Sequence, residues 1–489
     1  MQTDSALLGP GGIAFLGLYV LSLILIGWVG KKARTENSLS DFYLAGRGMS
    51  LSVLFLTLYA TQYSGNTLVG FAGRAYREGF QALVLVTFLS SAVGAFILYA
   101  PKLYRLSRKF NFITPADFIH HRFNNKKVTY FAASLCLMAL ANYVLTNLKA
   151  IGYIVVAVTG GVIPFAYGVI ALSLVMVIYE TLGGMRSVAW TDALQGSILL
   201  VGVFSIFVTI QGEYGGFSFI YSQLQTVDSS KLLPPTIGQK LTWFSTVCLG
   251  FFGISLYPHA VQRIYSARDE QTLKRSIQIM AFMPLVTILF MVLVGLTALA
   301  LFPGLDRQAS EGATLLVLKD LSMRGAIGTG MMVLFLSATI AAIMSTVDSA
   351  LLSMSSIITK DFYARFKPDS SQEQLTRLGK IISWVIMGLS VYLAIVLPQT
   401  IWRLLEIKLE LLIQVAPAFF FGLYFKKIKS LSILVGMFLG TVLAVGVMVT
   451  NKMGLDIPAK PWGIHAGVWG LILNMTTIFI LERIKSKNE

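Results

Sequence analysis

Residues Tyr59–Gly73, YATQYSGNTLVGFAG, interrupt an apolar run that begins with LSVLFLTL at residues 51–58. The stretch contains five polar residues and three glycines: Thr61, Gln62, Ser64, Asn66, Thr67, Gly65, Gly70 and Gly73. Glycine and hydroxyl-bearing residues weaken an α-helix, because glycine gains chain freedom when it unfolds and hydroxyls compete for backbone hydrogen bonds. The sequence therefore places a weak point inside an apolar run of membrane-spanning length.

The chain around this stretch is strongly apolar. Of its 489 residues, 55% are hydrophobic and only 13% are charged, and the mean hydropathy is +0.73. A soluble domain carries about a quarter charged residues. We therefore predict a polytopic membrane protein. The two cysteines, Cys136 and Cys248, lie in apolar runs and form no disulfide framework or metal-binding spacing, so we expect them to be small buried side chains.

Thirteen apolar runs are long enough to cross a bilayer, which takes about 20 residues each. They cover residues 13–30, 51–73, 81–100, 128–158, 162–179, 188–211, 242–262, 276–302, 329–358, 379–397, 404–425, 430–450 and 463–482.

The net charge of +16 follows from this topology. If the N-terminus lies outside, most of the 39 lysines and arginines, including Arg186 and Arg263, fall on the cytoplasmic side, as the positive-inside rule requires. We therefore expect a lipid bilayer rather than a nucleic acid as the partner, and a multi-pass protein of the plasma membrane, specifically a bacterial inner membrane, with the C-terminus in the cytoplasm. The run Ile13–Val29 lacks a preceding basic segment and is long for a signal peptide, so it reads as a retained helix.

Two of the predicted spans are interrupted at corresponding places. The second contains TQYSGN and the seventh contains GISLYPHAVQ, Gly253–Gln262. Interrupted helices at matching positions in two halves indicate an inverted-repeat transporter whose binding site lies near the middle of the bilayer. Because the two spans are five apart, each repeat would contain five helices.

The interruption in the second span favours either ion binding or helix packing. Unwinding at Gly65 would free backbone carbonyls near residues 60–63, and free carbonyls are costly in hydrocarbon unless another group satisfies them. A sodium ion does this well, because it is a hard cation that prefers oxygen. The alternative is a face of small and hydroxyl-bearing residues that packs against another helix.

The ninth span contains a polar face in SATIAAIMSTVDSALLSMSS, residues 337–356. Ala342, Ser345, Thr346 and Ser349 share one side of a helix by their spacing, and Asp348 borders it. Hydroxyls beside a carboxylate at membrane depth favour a cation site over hydroxyls that bond back to their own helix.

Other polar groups are less specific. Asp192 begins the sixth span, where a carboxylate also suits the helix dipole. Lys149 lies deep in the fourth span, where it would pair either with a substrate carboxylate or with Glu410, and Lys408 is expected at the interface. His259, beside Pro258, is expected to be packed or to line a pathway.

The sequence contains no recognised catalytic motif. We find no HExxH, no P-loop and no GxSxG near a usable histidine and aspartate. An intramembrane enzyme built from Ser345, Asp348 and His259 would lack a known nucleophile arrangement. We therefore predict that the protein is not an enzyme. A transporter-like sensor or channel is the other alternative, although sensors on such scaffolds usually append a signalling domain.

Six further stretches lie in order along most of the chain: DFYLAGRGMS (41–50), TPADFIHHRF (114–123), LGGMRSVAWTDALQG (182–196), PHAVQRIYSARD (258–269), AAIMSTVDSALLSMSSIITKDFY (341–363) and the APAFFFGLYFKK run that ends at Lys427. Together they resemble the sodium:solute symporter family, which includes sodium-coupled glucose, proline, pantothenate and sialic acid transporters. The resemblance implies an all-α, leucine-transporter-like fold of thirteen spans with a 5+5 inverted repeat.

The resemblance also implies site residues. The main sodium site would use the carbonyls of Ala60, Tyr63 and Ala342 and the hydroxyls of Ser345 and Thr346. In some members an aspartate and ninth-span serines bind a second sodium; here those positions are Asp192, Ser345, Asp348 and Ser349, and Asp348 replaces a serine. The implied substrate contacts are Gln62, Asn66, Thr67, Gln81, Lys149 and Tyr257.

These inferences combine into a prediction for the whole chain. We expect a sodium-coupled symporter that imports a small polar solute by alternating access and works as a monomer. A carboxylate-bearing metabolite (an organic or amino acid, a vitamin or sialic acid) is favoured, and a sugar is the alternative. The predicted organisation is a peripheral helix and cytoplasmic loop in 1–50, repeats in 51–211 and 242–425, and two peripheral helices in 426–489.

Overall fold

The computed structural model describes residues 7–397, 408–452, 458 and 460–488. Most of these residues form helices, of which we label the ones used below α1 to α17. Their bounds are α1 Pro10–Lys32, α2 Leu51–Gln62, α3 Gly70–Glu78, α4 Val84–Phe110, α5 Pro115–Phe123, α6 Lys126–Thr159, α7 Phe165–Gly183, α8 Met185–Tyr214, α9 Ile237–Phe252, α10 Pro258–Ser266, α11 Glu270–Met280, α12 Leu289–Leu301, α13 Ala326–Ser356, α14 Gln372–Val396, α15 Ala416–Tyr424, α16 Ser430–Lys452 and α17 Ala466–Asn488.

Ten helical stretches in the described part of the chain are long and apolar enough to cross a membrane. The bent pair Ile237–Leu256 and Pro258–Ser266 makes an eleventh. Two of the thirteen predicted spans are not among these eleven. The span at 51–73 is divided between α2 and α3, and the span at 404–425 is helical over 408–424, while residues 404–407 lie outside the described residues. The predicted all-helical membrane fold is confirmed.

The break in the second span lies at Tyr63 and Ser64. Tyr63 has φ −106° and ψ 89°, and Ser64 is extended with ψ 174°. A short helical turn, Gly65–Leu68, follows before α3 begins. Gly65 is needed here for close packing, because a Cβ at this position would lie 2.2 Å from Cγ1 of Ile343 on α13.

The break in the seventh span has a different local cause. Proline disfavours a helical conformation in the residue before it, and Tyr257, before Pro258, has φ −53° and ψ 126°. Pro258 then occupies the first turn of α10, where its missing N–H costs nothing. As a result α9 and α10 meet at a bend of 52°.

The two broken spans are joined at one end. The backbone N–H of Met49 donates to Ser266 at 3.1 Å, and that of Arg268 donates to Met49 at 3.1 Å. This pairing ties the start of α2 to the end of α10. Helix α13 packs against α2, α6, α8 and α10, and its residues 335–356 are buried without interruption. The polar face predicted on α13 therefore lies in the centre of the bundle, beside both breaks.

Candidate functional site

Backbone and hydroxyl oxygens of α2 and α13 meet at the first break. Because α2 ends at Gln62, the carbonyl of Ala60 has no continuing helix to bond, and the hydroxyl of Ser345 donates to it at 3.1 Å. Ser345 also lies 3.1 Å from the carbonyl of Ala342, and the hydroxyl of Thr346 donates to that carbonyl at 2.8 Å. Four of the five predicted sodium ligands thus lie together, and the fifth, Tyr63, is the residue at which the helix ends.

The donor set fits a sodium ion. It consists of carbonyl and hydroxyl oxygens, all from fully buried or nearly fully buried residues, and broken helices commonly use such oxygens to bind sodium in transporters. Within the described residues no group of three or more histidine, cysteine, aspartate or glutamate side chains is placed to hold a metal ion.

A second buried cluster surrounds Asp192 on α8. Its carboxylate accepts from the guanidinium of Arg263 on α10 at 2.7 Å, and both side chains are fully buried. The hydroxyl of Thr57 also donates to Asp192. The guanidinium contacts further oxygens at Thr57 (2.8 Å), the carbonyl of His259 (3.0 Å) and Ser349 (2.5 Å). Arg263 therefore lies among the residues predicted to form the second cation site.

Asp348 borders the same cluster from α13. The hydroxyl of Tyr179 donates to one of its oxygens, and the hydroxyl of Ser349 donates to the other at 3.2 Å. The structure thus brings Asp192, Asp348 and Ser349 into one region, as expected, but it adds two residues that sequence reasoning missed, Arg263 and Tyr179.

The sequence predicts Arg263 among the basic residues of the cytoplasmic side, whereas the structure buries its side chain completely. The available signal was its position, one residue beyond the predicted seventh span and five residues after Pro258, which places it about one and a half turns into α10.

A cavity of about 100 Å³ lies beside the first break. Its wall includes Gln62 and Thr67 from the second span and Tyr257 from the seventh, which are three of the predicted substrate contacts. Gln81, in the turn between α3 and α4, and Lys149, on α6, are not among the residues that line it. The side chain of Asn66 lies outside the described part of the chain.

Lys408 is the charged residue that reaches the cavity from the eleventh predicted span, which is helical over residues 408–424. Its side chain is 4% exposed, and its Nζ lies 3.3 Å from the ring centroid of Tyr143 and 5.4 Å from that of Tyr257. The sequence predicts an interfacial position for this lysine. The structure instead places it against two aromatic rings, which stack on each other at 5.3 Å.

Lys149 and Glu410 have other partners. Lys149 Nζ donates to the carbonyl of Leu397. Glu410 lies 3.3 Å from Nδ1 of His465 and accepts from the backbone N–H of Gly467. The ion pair considered for Lys149 and Glu410 is therefore replaced by a contact between Glu410 and His465. His259 is fully buried and stacks on Tyr257, with 5.0 Å between the ring centroids.

Comparison with known proteins gives consistent matches over the whole chain. The model of the sodium:solute symporter family matches residues 42–440. The sodium/pantothenate symporter of Escherichia coli is 27% identical over 93% of this chain and 92% of its own length. The osmoregulated proline transporter of Bacillus subtilis is 26% identical over 97% of this chain and 95% of its own length.

A solved structure shares the fold. It is that of a Na⁺-coupled sialic acid symporter in a substrate-bound, outward-open state, with a TM-score of 0.80 at 21% identity. The match covers 97% of this chain and 98% of the other. The leucine-transporter-like fold expected from the sequence is confirmed.

Proposed function

Because the chain belongs to the sodium:solute symporter family, whose coupling ion is sodium, we propose that it couples sodium entry to the uptake of a small organic solute that carries a carboxylate. The family and its relatives are transporters, not enzymes. The observation that carries the proposal is the contact between Ser345 and the carbonyl of Ala60, which joins the oxygens of α2 and α13 beside the cavity.

Coupling follows from the position of the break. An ion held between Ala60 and Ser345 fixes the end of α2 against α13, and Gln62, two residues further on, lines the cavity. Sodium and solute would therefore order the same segment, so each raises the affinity of the other by the same factor. Loss of sodium on the inner side would release the end of α2 and with it the solute.

The proposed solute class is supported by the relatives and by charge. The relatives above are named for pantothenate and proline, and the structural neighbour for sialic acid; all three solutes carry a carboxylate. The cavity contains the ammonium group of Lys408, and a sugar would leave this charge without a counter-ion.

In our proposal an arginine side chain, and not a sodium ion, occupies the second cation position. We propose that the guanidinium of Arg263 takes the place of a second sodium, since it already contacts Asp192 and Ser349. One sodium ion would then bind per transport cycle.

Topology and organisation are also proposed. With the N-terminus outside, the cavity end of the bundle faces the exterior and the joined ends of α2 and α10 face the cytoplasm. The inverted repeats would be residues 51–211 and 242–425, each beginning with a broken span. A single copy would be the transport unit, because one chain supplies both the ion ligands and the cavity.

Thermal unfolding of the purified protein with and without sodium tests the proposal. Sodium should raise the unfolding temperature of the wild type, and Ser345→Ala and Thr346→Ala should lose this response. Thr339→Ala is a matched control, because Thr339 lies on the same helix and bonds only the carbonyl of Phe335 in its own preceding turn, at 2.8 Å. If both variants keep the full sodium response, the ion site is wrongly placed. Sodium-independent uptake at the full rate in proteoliposomes would contradict sodium coupling itself.

A further inference from the structure

Lys408 is a buried cation whose neighbours do not neutralise it. Within the described part of the chain no carboxylate lies within ion-pair distance of its Nζ, and its close contacts are the faces of Tyr143 and Tyr257. Aromatic faces attract a cation, but they replace only part of the hydration that an ammonium group loses on burial. An anion entering the cavity would complete its environment.

A second unsatisfied donor lies in the same cavity. Nε2 of Gln62 is buried and has no acceptor among the residues that the structure describes, and the Gln62 side chain lines the cavity wall. An amide N–H and an ammonium group together suit a carboxylate, which accepts hydrogen bonds at both of its oxygens. Sequence reasoning had identified Gln62 as a substrate contact but had assigned the cationic role to Lys149.

The rest of the wall restricts the solute further. Among the described residues that line the cavity, none is aspartate or glutamate, and Arg74, which also lines it, is already paired with Glu78 at 2.8 Å. Much of the remaining wall is apolar, including Phe71, Phe88 and Leu249. A solute with a cationic group would therefore meet no carboxylate among the described residues of the wall.

We propose that Lys408 and Gln62 bind the carboxylate of the solute, and that the solute is an organic monocarboxylate with an apolar body and no cationic group. This inference rests on the proposed symport function and specifies its substrate. The ring centroid of Tyr143 lies 3.3 Å from the ammonium and that of Tyr257 lies 5.4 Å from it, so the charge is positioned before the solute arrives, which reduces the entropy lost on binding.

Thermal unfolding of the purified protein in sodium, with individual solutes added, tests this proposal. The probes are butyrate and benzoate as monocarboxylates, proline as a zwitterion and glucose as a neutral solute. The monocarboxylates should raise the unfolding temperature of the wild type, whereas proline and glucose should have little effect. Lys408→Met should weaken monocarboxylate binding about 30-fold or more, because a buried charge then lacks its partner, and Lys408→Arg should retain part of it.

Lys102→Met is the matched control. Lys102 lies 4.3 Å from the ring centroid of Tyr424 and donates to the carbonyl of Leu423 at 2.5 Å, away from the residues that line the cavity. This variant should bind the monocarboxylates as the wild type does. Gln62→Glu gives an independent test, since a carboxylate introduced beside Lys408 should occupy the ammonium and weaken binding even if Lys408→Met fails to fold.

The outcomes separate the two proposals. If the wild type responds to sodium but to neither monocarboxylate, or if Lys408→Met and Gln62→Glu bind monocarboxylates with wild-type affinity, the solute assignment is wrong and sodium coupling stands. A stronger response to proline or glucose than to either monocarboxylate would also overturn the assignment. If sodium has no effect on the wild type at all, the underlying symport function is contradicted.

Discussion

The guanidinium of Arg263 lies 2.7 Å from the carboxylate of Asp192, and neither side chain is exposed. The pair connects α8 to α10, the second half of the broken seventh span. Thr57 on α2 contacts both partners. Helices α2, α8 and α10 are therefore joined by one charge pair, and Ser349, which contacts Arg263, lies one turn along α13 from Ser345 of the proposed sodium site. Any movement of α10 relative to α8 during transport must either preserve this pair or replace it.

Replacing Arg263 should show how much the stability and ion binding of the protein depend on this ion pair. Breaking a buried ion pair by deleting one partner costs about 3–5 kcal/mol, so Arg263→Met should lower the unfolding temperature in the absence of sodium. Asp192 and Ser349 would then be free to bind a second cation. We expect sodium titrations of thermal stability to follow a single-site curve in the wild type and a steeper, two-ion curve in Arg263→Met.

Arg263→Lys is the appropriate control for this change, because it keeps the charge and should keep the single-site curve. A wild-type titration that already requires two sodium ions would contradict the role given to Arg263.

The sequence predicted the parts of the site that depend on local pattern. Polar residues within apolar runs identified the break after Gln62 and the hydroxyl face of α13, because such residues are unusual at membrane depth wherever they occur. Lys408 and Arg263 were not identified. In the sequence, a charged residue near the end of a span gives the same pattern whether its side chain reaches the membrane interface or points into the protein core. Only the packing of neighbouring helices decides between the two positions.

Replacement of Gly65 by alanine should destabilise the protein unless Ile343 is made smaller at the same time. The alanine Cβ would lie 2.2 Å from Cγ1 of Ile343, so Gly65→Ala must displace the turn after the break away from α13. Overpacking of this kind costs about 1–3 kcal/mol, and here it should also reduce sodium affinity, because Ala60 and Ser345 lie on the two elements that are pushed apart. The measurements are the unfolding temperature and its sodium dependence.

A second substitution distinguishes steric overlap from loss of glycine itself. Ile343→Ala removes the overlapping atom, so the double variant Gly65→Ala/Ile343→Ala should be less destabilised than the sum of the single variants. Gly94→Ala on α4 should have little effect, because no atom lies within 4 Å of the added Cβ. Additive effects in the double variant would contradict the packing role.

Asp117 on α5 should contribute to stability in a pH-dependent way. Its carboxylate accepts from Lys360 at 2.6 Å and from the backbone N–H groups of Ile113 and Thr114 at 2.7 and 3.0 Å. Burial raises the pKa of Asp117, but the charge of Lys360 and these hydrogen bonds outweigh that effect and hold the pKa below its usual value.

A lowered folded-state pKa gives stability that is present above the unfolded value, about 3.9, and lost as the pH falls through the folded value. Asp117→Asn should therefore be less stable than the wild type at neutral pH, and the difference in unfolding temperature should shrink below about pH 4. Asp369→Asn, which alters an exposed carboxylate, should show no such pH-dependent difference. A difference for Asp117→Asn that persists unchanged into strong acid would mean that the carboxylate's charge is not what stabilises this contact.

Transport should be electroneutral if one sodium accompanies one monocarboxylate. Lys408 and Arg263 stay with the protein, so the transported charges are one positive and one negative, and the membrane potential does no net work on the cycle. A neutral solute, or a second sodium ion, would instead move one net charge. A potential of 100 mV favours that movement by about 2.3 kcal/mol, which corresponds to an accumulation about 50-fold higher.

Proteoliposomes with a fixed sodium gradient and a potassium diffusion potential set by valinomycin separate these cases. We expect the accumulated level of monocarboxylate to be the same at 0 and −100 mV in the wild type and to rise with negative potential in Arg263→Met, because that variant admits the second sodium. A strong dependence on potential in the wild type would show that more than one sodium ion enters with each anion, and that Arg263 does not replace one.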